Sequence, residues 1–253
     1  MRKTDTPVRH HSEEHFSRYE FKYVVPHDLR LEIENQVRHF MVLDPFVDSV
    51  PEQSYRVRSL YFDTPSSAAF YEKIDGIKDR KKYRIRTYGK KIDESPIFFE
   101  EKGRANQRTY KHRVKITKDL YTDLILGGNL FYLLERFPDV NFVNRFLTSK
   151  SKVDVSPRVV IDYERRPYVS NYDVYFRITF DSELKAIRSS EAFGIAEKSM
   201  RRCLAGRSII EVKFNRKIPA WFQRIIQSTQ LTRVSISKFV VGMAQCGLAV
   251  DLS

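Results

Sequence analysis

Five residues in the first half of the chain, Lys82-Tyr83-Arg84-Ile85-Arg86, alternate cationic with apolar side chains. Successive residues of a β-strand point to opposite faces, so a strand here would place Arg84 and Arg86 side by side on one face. The same charged alternation recurs in five further segments, which are Arg18–Lys22, Phe98–Lys102, Lys111–Lys115, Tyr163–Arg165 and Glu211–Lys213. The pattern predicts a set of strands that each have one charged face.

These charged faces have two interpretations. For any single segment, an ordinary sheet with its charges in water is a sufficient explanation. The whole set is different, because two positive charges about 6 Å apart at an effective dielectric of ~20 repel by roughly 3 kcal/mol. If the strands close into a barrel with these faces inward, the interior is cationic and hydrated, and it requires a polyanion to neutralise it.

Composition limits the partners. The chain of 253 residues carries 45 Lys and Arg against 32 Asp and Glu, a formal net charge of +13. Such an excess favours nucleic acid, acidic lipid, nucleotide or polyphosphate as partner.

No apolar run approaches the ~20 residues that a transmembrane helix needs. We expect residues 1–15 to form a flexible arm, because they are polar and lack the apolar core of a secretory signal. We expect residues 16–253 to form a single cytoplasmic domain.

Strand and helix patterns follow one another along the chain. Strands are predicted at Phe16–Val25, Tyr55–Tyr61, Lys81–Tyr88, Ile97–Lys102, Tyr110–Lys115, Arg158–Tyr163, Val174–Asp181 and Ser208–Phe214. Helices are predicted at Leu29–Phe40, Thr117–Phe137 with a break at Gly127-Gly128, Asn141–Ser149, Pro219–Gln230 and Ser237–Cys246. Closely spaced strands favour antiparallel pairing, so we expect an α+β fold in which an antiparallel sheet curls into a barrel with flanking helices.

The charged residue types indicate phosphate chemistry. Arg84 and Arg86 could each present a planar set of donors to successive phosphates. Further charge around the same interior would come from Lys22, Lys102, Lys111 and Arg113. Three carboxylates, Glu20, Glu100 and Glu211, each precede a lysine by two residues. They form either surface ion pairs worth less than ~1 kcal/mol each, or a site for Mg²⁺ or Mn²⁺ that also binds substrate phosphates.

The order of these motifs resembles a known family. The motifs are Tyr19-x-x-Lys22, Ser59-Leu60-Tyr61-Phe62-Asp63-Thr64, Lys82-Tyr83-Arg84-Ile85-Arg86-x-Tyr88, Phe99-x-Glu101-Lys102, Lys111-x-Arg113, Tyr163-x-Arg165, Arg177-Ile178-Thr179-Phe180-Asp181, Glu211-Val212-Lys213 and Ser237-Lys238-Phe239. Over about Phe16–Val241 the series resembles the polyphosphate polymerase domain of the vacuolar transporter chaperone (VTC) family. That family belongs to the triphosphate tunnel metalloenzymes and is related to the CYTH phosphatases.

The resemblance implies an eight-stranded antiparallel tunnel that binds a nucleoside triphosphate, a growing phosphate chain and a divalent metal. By position it assigns phosphate contacts to Lys22, Arg84, Arg86, Lys102, Lys111, Arg113, Arg165, Arg177 and Lys238, with Tyr163 and Ser237 as polar companions. Glu211 matches the metal-binding glutamate, and Glu20 and Glu100 match tunnel carboxylates whose role varies. A single glutamate precedes Lys22, whereas the CYTH phosphatases carry Glu-x-Glu-x-Lys, which disfavours a simple triphosphatase.

The function expected from this resemblance is transfer of the γ-phosphate of ATP to a polyphosphate chain. Lys22, Arg84, Arg86 and Arg165 would clamp the phosphates, Glu211 would hold Mn²⁺ or Mg²⁺, and Lys102, Lys111, Arg113 and Lys238 would guide the product. Two alternatives stay open: a hydrolase of tripolyphosphate or nucleoside triphosphates, and a non-catalytic module that binds polyphosphate or RNA. No RNA-binding signature is present, so no specific nucleic acid is expected. Recruitment by a separate membrane protein is left open.

Overall fold

A computed structural model describes residues 19–250, apart from 49, 90, 94, 106–107 and 139. The predicted arm of residues 1–15 lies outside this range. The strands are β1 (Tyr19–Pro26), β2 (Val42–Leu43), β3 (Tyr55–Asp63), β4 (Arg80–Thr87), β5 (Ile97–Ala105), β6 (Arg108–Ile116), β7 (Ser156–Val169), β8 (Arg177–Arg188), β9 (Arg201–Arg202) and β10 (Arg207–Phe214). The helices are α1 (His27–Val37), α2 (Pro45–Asp48), α3 (Ala68–Ile74), α4 (Lys118–Leu126), α5 (Phe131–Arg136), α6 (Asn141–Val153), α7 (Ala220–Ser228) and α8 (Lys238–Gln245).

The strands form one antiparallel sheet with helices around it. Eight of them follow the order β1-β10-β8-β7-β3-β4-β5-β6, and every neighbouring pair is antiparallel. These eight correspond to the eight strands predicted from the sequence, so the antiparallel α+β prediction is confirmed. The described part of the chain adds two-residue strands β2 and β9, which pair with β7 and β8. Two residues are too short to carry a periodic signal, which is why the sequence did not predict them.

The edge strands of this sheet are β1 and β6. Within the described residues no backbone ladder joins them, so the wall is a strongly curled sheet rather than the hydrogen-bonded closed barrel that was expected. The amide N of Val234 donates instead to the carbonyl O of Lys22 at 2.8 Å, which occupies the outer edge of β1. Side chains cross the gap, because Glu20 Oε2 on β1 lies 3.7 Å from Lys102 Nζ on β5. We call this gap between β1 and β5–β6 the seam.

The outer face of the curled sheet is mostly apolar, with buried ion pairs such as Arg58–Asp162, and is covered by helices. One outer core packs α4, α5 and α6 against β3–β6 through side chains such as Phe99 and Phe146. A second packs α1 and α7 against β1, β8 and β10 through Ile33, Phe180 and Phe222. Because helices cover the apolar face of each of these strands, the charged face is left to point into the interior of the curled sheet. None of the helices among the described residues is long and apolar enough to cross a bilayer.

The inside of the curled sheet is apolar at one end only. There α8 packs against β7 and β8, and Phe239 and Met243 of this helix are buried with Tyr61, Ile161 and Tyr163. This packing fixes the start of α8, and with it Ser237 and Lys238, beside the charged strand residues. The C-terminal helix therefore closes one end of the interior and leaves the charged region next to it.

The predicted helix break at Gly127-Gly128 is confirmed. Thr117 caps the start of α4 by accepting a hydrogen bond from the amide of Leu120 at 3.3 Å. Gly127 ends the helix at φ 73°, a left-handed conformation that glycine adopts without a Cβ clash. The chain then continues as α5 and α6, which both contribute to the outer core over β3–β6.

Candidate functional site

A cavity of about 200 Å³ lies inside the curled sheet. Its wall combines nine basic side chains with two carboxylates, Glu20 and Glu211. The basic residues are Lys22, Lys82, Arg84, Arg86, Lys102, Lys111, Arg165, Lys213 and Lys238. Strands β1, β4, β5, β6, β7 and β10 and the start of α8 all contribute, so residues far apart in sequence meet here. A cavity with this charge excess favours a multiply charged anion.

Most of the site residues predicted from the sequence line this cavity. They are Glu20, Lys22, Arg84, Arg86, Lys102, Lys111, Tyr163, Arg165, Glu211, Ser237 and Lys238. The register explains how they meet: Lys22 pairs with Glu211, and Lys102 pairs with both Lys82 and Lys111. Antiparallel partners point to the same face of a sheet, so these side chains project into one interior.

Three predicted residues do not line the cavity. Arg177 forms an ion pair with Asp44 at 2.8 Å. Arg113 places its guanidinium 3.3 Å from the centre of the Phe98 ring. Glu100 has no exposed surface and lies on the inward face of β5, where its carboxylate binds Arg84. None of these three side chains lines the cavity, and their roles as phosphate or metal ligands stay predictions.

Two lysines of the cavity wall are absent from the predicted site. Lys82 and Lys213 occupy inward positions of β4 and β10, two residues from Arg84 and Glu211. The period-two alternation that singled out those neighbours would also have identified both lysines. Other wall residues without a prediction are Tyr19, Tyr61, Thr109, Tyr110 and Phe239, for which no charge pattern was available.

Carboxylates on the inward face of the sheet hold several of the cations in place. Arg165 makes a two-pronged contact with Asp181, at 2.7 and 2.6 Å, and also donates to Glu211 Oε2 at 3.0 Å. Lys238 Nζ lies 2.6 Å from Glu211 Oε1 and 2.5 Å from Asp181 Oδ2. Burial disfavours the charged Glu211, but Lys238 and Arg165 outweigh it and hold the pKa of Glu211 well below its ordinary value. These groups stay ionised and preorganised at neutral pH.

Arg84 is fixed from two sides. Its Nε and Nη2 contact Glu100 Oε2 at 2.7 and 2.6 Å, and its Nη1 donates to Tyr61 Oη at 2.9 Å. Burial works against the charge of Glu100, yet the attraction of Arg84 and Arg86 lowers the pKa of Glu100 to about 2. The Arg84 guanidinium is therefore oriented before any ligand arrives.

Other cations have no carboxylate within ion-pair distance among the described residues. They are Lys82, Arg86 and Lys213. Arg86 contacts the hydroxyl of Ser59 at 3.3 Å. Burial lowers the pKa of Lys213 to about 8, although Glu20 and Glu211 oppose the shift. An anion that entered the cavity would be most stabilised next to such uncompensated charges.

Glu20 and Glu211 are the carboxylates available for a divalent cation. They flank one ammonium, since Lys22 Nζ lies 3.0 Å from Glu20 Oε1 and 3.8 Å from Glu211 Oε1. Mg²⁺ commonly takes one or two protein carboxylates and fills its shell with water and phosphate oxygens. No group of three or more metal-ligating side chains converges anywhere in the described ranges. The residues present fit a metal ion that arrives with, or is completed by, a bound phosphate.

The chain is similar to one known family and, in fold, to solved structures. The family model of the VTC domain matches residues 17–246. No curated protein matches the sequence significantly. Among solved structures, a candidate adenylyl cyclase from Hippeastrum, described with a dominant triphosphatase activity, aligns at TM-score 0.52 and 11% identity, covering 90% of this chain and 97% of that one. A candidate adenylate cyclase from Bacillus halodurans aligns at TM-score 0.48 and 12% identity, covering 87% and 94%.

The likeness to the Hippeastrum structure is one of fold, since the sequences are only 11% identical. The family match is stronger, because it spans nearly all of the described residues and includes every strand that lines the cavity. The expected resemblance is thereby confirmed: this chain belongs to the VTC domain family.

Proposed function

We propose that this domain is a metal-dependent polyphosphate polymerase that transfers the γ-phosphate of ATP to a linear polyphosphate chain. One observation carries the proposal: nine basic side chains and two carboxylates share the wall of one internal cavity. Membership of the VTC domain family supports the coarser statement, an enzyme that acts on triphosphates. The polymerase and its phosphate donor are the finer part of the proposal.

Phosphoryl transfer needs little covalent chemistry from a protein. It depends on alignment of the reacting groups and on neutralisation of charge on the transferring phosphoryl group. Arg84 and Arg165 suit that task, because Glu100 and Asp181 orient them in advance. In this proposal they clamp the reacting phosphates together with Lys22 and Arg86, and no reorganisation of the clamp is required when the transition state forms.

Further residues would hold the metal and the chain. Glu211 and Glu20 would hold Mn²⁺ or Mg²⁺, and the metal would supply positive charge that neutralises the bound phosphates. Lys102, Lys111 and Lys238 line the same cavity and would guide the phosphate chain. Arg113, Arg177 and Glu100 receive no direct role in this scheme, because they do not line the cavity. Glu100 acts instead through the orientation of Arg84.

A second candidate is hydrolysis of a triphosphate with water as the acceptor. The fold neighbour from Hippeastrum, described with a dominant triphosphatase activity, is the observation that favours it. Both reactions would use the same clamp and metal, and they differ only in the group that accepts the phosphoryl. Product analysis separates them directly.

The test is turnover of ATP by the purified chain with Mn²⁺ or Mg²⁺, with products resolved by gel and by phosphorus NMR. We expect ADP and a phosphate polymer. Inorganic phosphate without polymer would establish the hydrolase, and the absence of any turnover would reject both enzymes in favour of simple binding.

Glu211→Gln tests the metal site in the same assay. We expect metal-dependent turnover to fall at least tenfold, about 1.4 kcal/mol in the barrier, while nucleotide binding is retained. Glu135→Gln is the matched control, because Glu135 is exposed on α5 and does not line the cavity. A Glu211→Gln variant that folds and turns over at the wild-type rate would remove Glu211 from the mechanism.

A further inference from the structure

Lys82 stands where two cavities meet. It lines the central cavity and also a side cavity of about 410 Å³ along the seam, between β1, β4, β5 and the segment 233–237. The side cavity adds five basic residues that the central one lacks, namely Lys73, Arg80, Lys81, Arg104 and Arg233. An anion chain that runs from one cavity to the other would pass the ammonium of Lys82.

The contacts of Lys82 are those of a cation that has no carboxylate partner among the described residues. Its Nζ lies 3.3 Å from the hydroxyl of Ser237, and 5.1 and 5.9 Å from the ring centres of Phe239 and Tyr61. The titratable and charged groups that face it are Tyr61 on β3, Lys102 on β5, Lys22 on β1 and Arg84 on its own strand. In the described part of the chain no carboxylate forms an ion pair with it, whereas Lys22 and Lys102 share Glu20.

This surrounding disfavours the charged form of Lys82. Burial removes water from the ammonium, and three neighbouring cations repel it. Burial is the largest cause that lowers the pKa of Lys82, to about 7, with Lys102, Lys22 and Arg84 adding to the shift and Tyr61 opposing it. Lys82 is therefore mostly neutral at pH 8 before a ligand binds. A phosphate beside Nζ reverses the balance, because an adjacent anion favours the protonated amine.

We propose that Lys82 is a further phosphate-binding residue, and that its Nζ takes up one proton from solvent when a linear phosphate chain enters the junction of the two cavities. No covalent bond to phosphorus forms in this step, and the proton comes from water or buffer. The inference rests on the proposed function only for the class of ligand, a linear phosphate. Affinity then depends on pH: because the chain binds the protonated amine, affinity falls as the pH rises above about 7, by up to about tenfold per pH unit.

The test is calorimetric binding of inorganic tripolyphosphate to the full chain in EDTA, so that no turnover occurs. At pH 8, enthalpies measured in buffers with different heats of protonation give the number of protons taken up. Lys213 and Tyr61 also have lowered pKa values and contribute to the total, so the readout is the difference between variants. We expect Lys82→Arg to bind but to take up about one proton fewer than the wild type, because arginine is already charged.

Two further variants complete the set. Lys82→Met should bind at least tenfold more weakly at pH 7, since it offers no charge at any pH. Lys152→Met is the matched control, because Lys152 is exposed on α6 at the outer surface, and it should change neither affinity nor proton uptake. Lys82→Arg keeps the experiment informative if Lys82→Met fails to fold.

Equal proton uptake by Lys82→Arg and the wild type would overturn the proposal. If proton uptake disappears in Tyr61→Phe but is intact in Lys82→Arg, the proton belongs to the tyrosine and the proposal is likewise overturned. A wild type that polymerises phosphate without any Lys82-dependent uptake contradicts this inference alone. A wild type that shows the uptake but makes no polymer contradicts the proposed polymerase alone.

Discussion

Glu100 gives the sharpest test of how the cationic cavity is stabilised. Its side chain has no exposed surface, and its Oε2 contacts Arg84 at 2.7 and 2.6 Å while Oε1 lies 3.7 Å from Arg113 Nε. Glu100→Gln keeps the shape of the side chain and removes its charge. We expect the variant to have a lower free energy of unfolding, because buried Arg84 and its cationic neighbours lose their counter-charge.

The structure sets the magnitude. A carboxyl pKa lowered from 4.5 to about 2 corresponds to about 3 kcal/mol of stability at neutral pH. Removal of one partner of a buried ion pair costs ~3–5 kcal/mol in other proteins, which agrees. For a chain of this size, a loss of about 3 kcal/mol lowers Tm by roughly 6–12 °C. Because the folded pKa is depressed, this contribution is complete above pH 4.5 and is lost as the pH falls through about 2.

The assay is urea unfolding followed by circular dichroism, at pH 7 and again in steps towards pH 3. The gap between wild type and Glu100→Gln should be about 3 kcal/mol at pH 7 and should narrow as the pH falls below 4.5. Asp93→Asn serves as control, since it removes one partner of an exposed pair, 2.8 Å from Lys118, and should cost less than ~1 kcal/mol. Equal stability of wild type and Glu100→Gln at pH 7, or a gap independent of pH, would refute the reasoning.

Two further predictions concern the clamp and a buried thiol. Arg165→Lys should lower kcat/KM at least tenfold in steady-state assays, because lysine cannot keep the contacts with both Asp181 and Glu211; a wild-type value would show that orientation of Arg165 is unimportant. Cys203 is buried, and burial raises its pKa to about 11. Iodoacetamide at pH 8 should therefore leave Cys203 unmodified in the native protein and modify it in urea, as mass spectrometry would show.

The sequence predicted the strands well because their signal is local. In β4, Lys82, Arg84 and Arg86 alternate with Tyr83 and Ile85, and a period of two residues is a property of extended backbone itself. The eight long strands, the break at Gly127 and the antiparallel pairing followed from such patterns and from short connections. The same alternation marks Lys82 and Lys213 as members of the charged face.

Contacts between distant residues were beyond such local patterns. The guanidinium of Arg113 stacks on the ring of Phe98, and that of Arg177 forms an ion pair with Asp44. No periodic pattern in the sequence indicates either interaction. The open seam is a similar case, since the amide of Val234 occupies the edge of β1 from more than two hundred residues away. A family resemblance assigns a role to a position, but it does not predict which side chains the residue at that position contacts.

By itself, then, the sequence determined the two-faced strands, their antiparallel pairing and the excess of positive charge. It did not determine which face lies inside. That was decided in three dimensions, because the apolar faces bind helices α1, α4–α7 on the outside and leave the charged faces to surround the interior. Alternation is a property of each strand, whereas inside and outside exist only once distant helices have covered one face of the sheet.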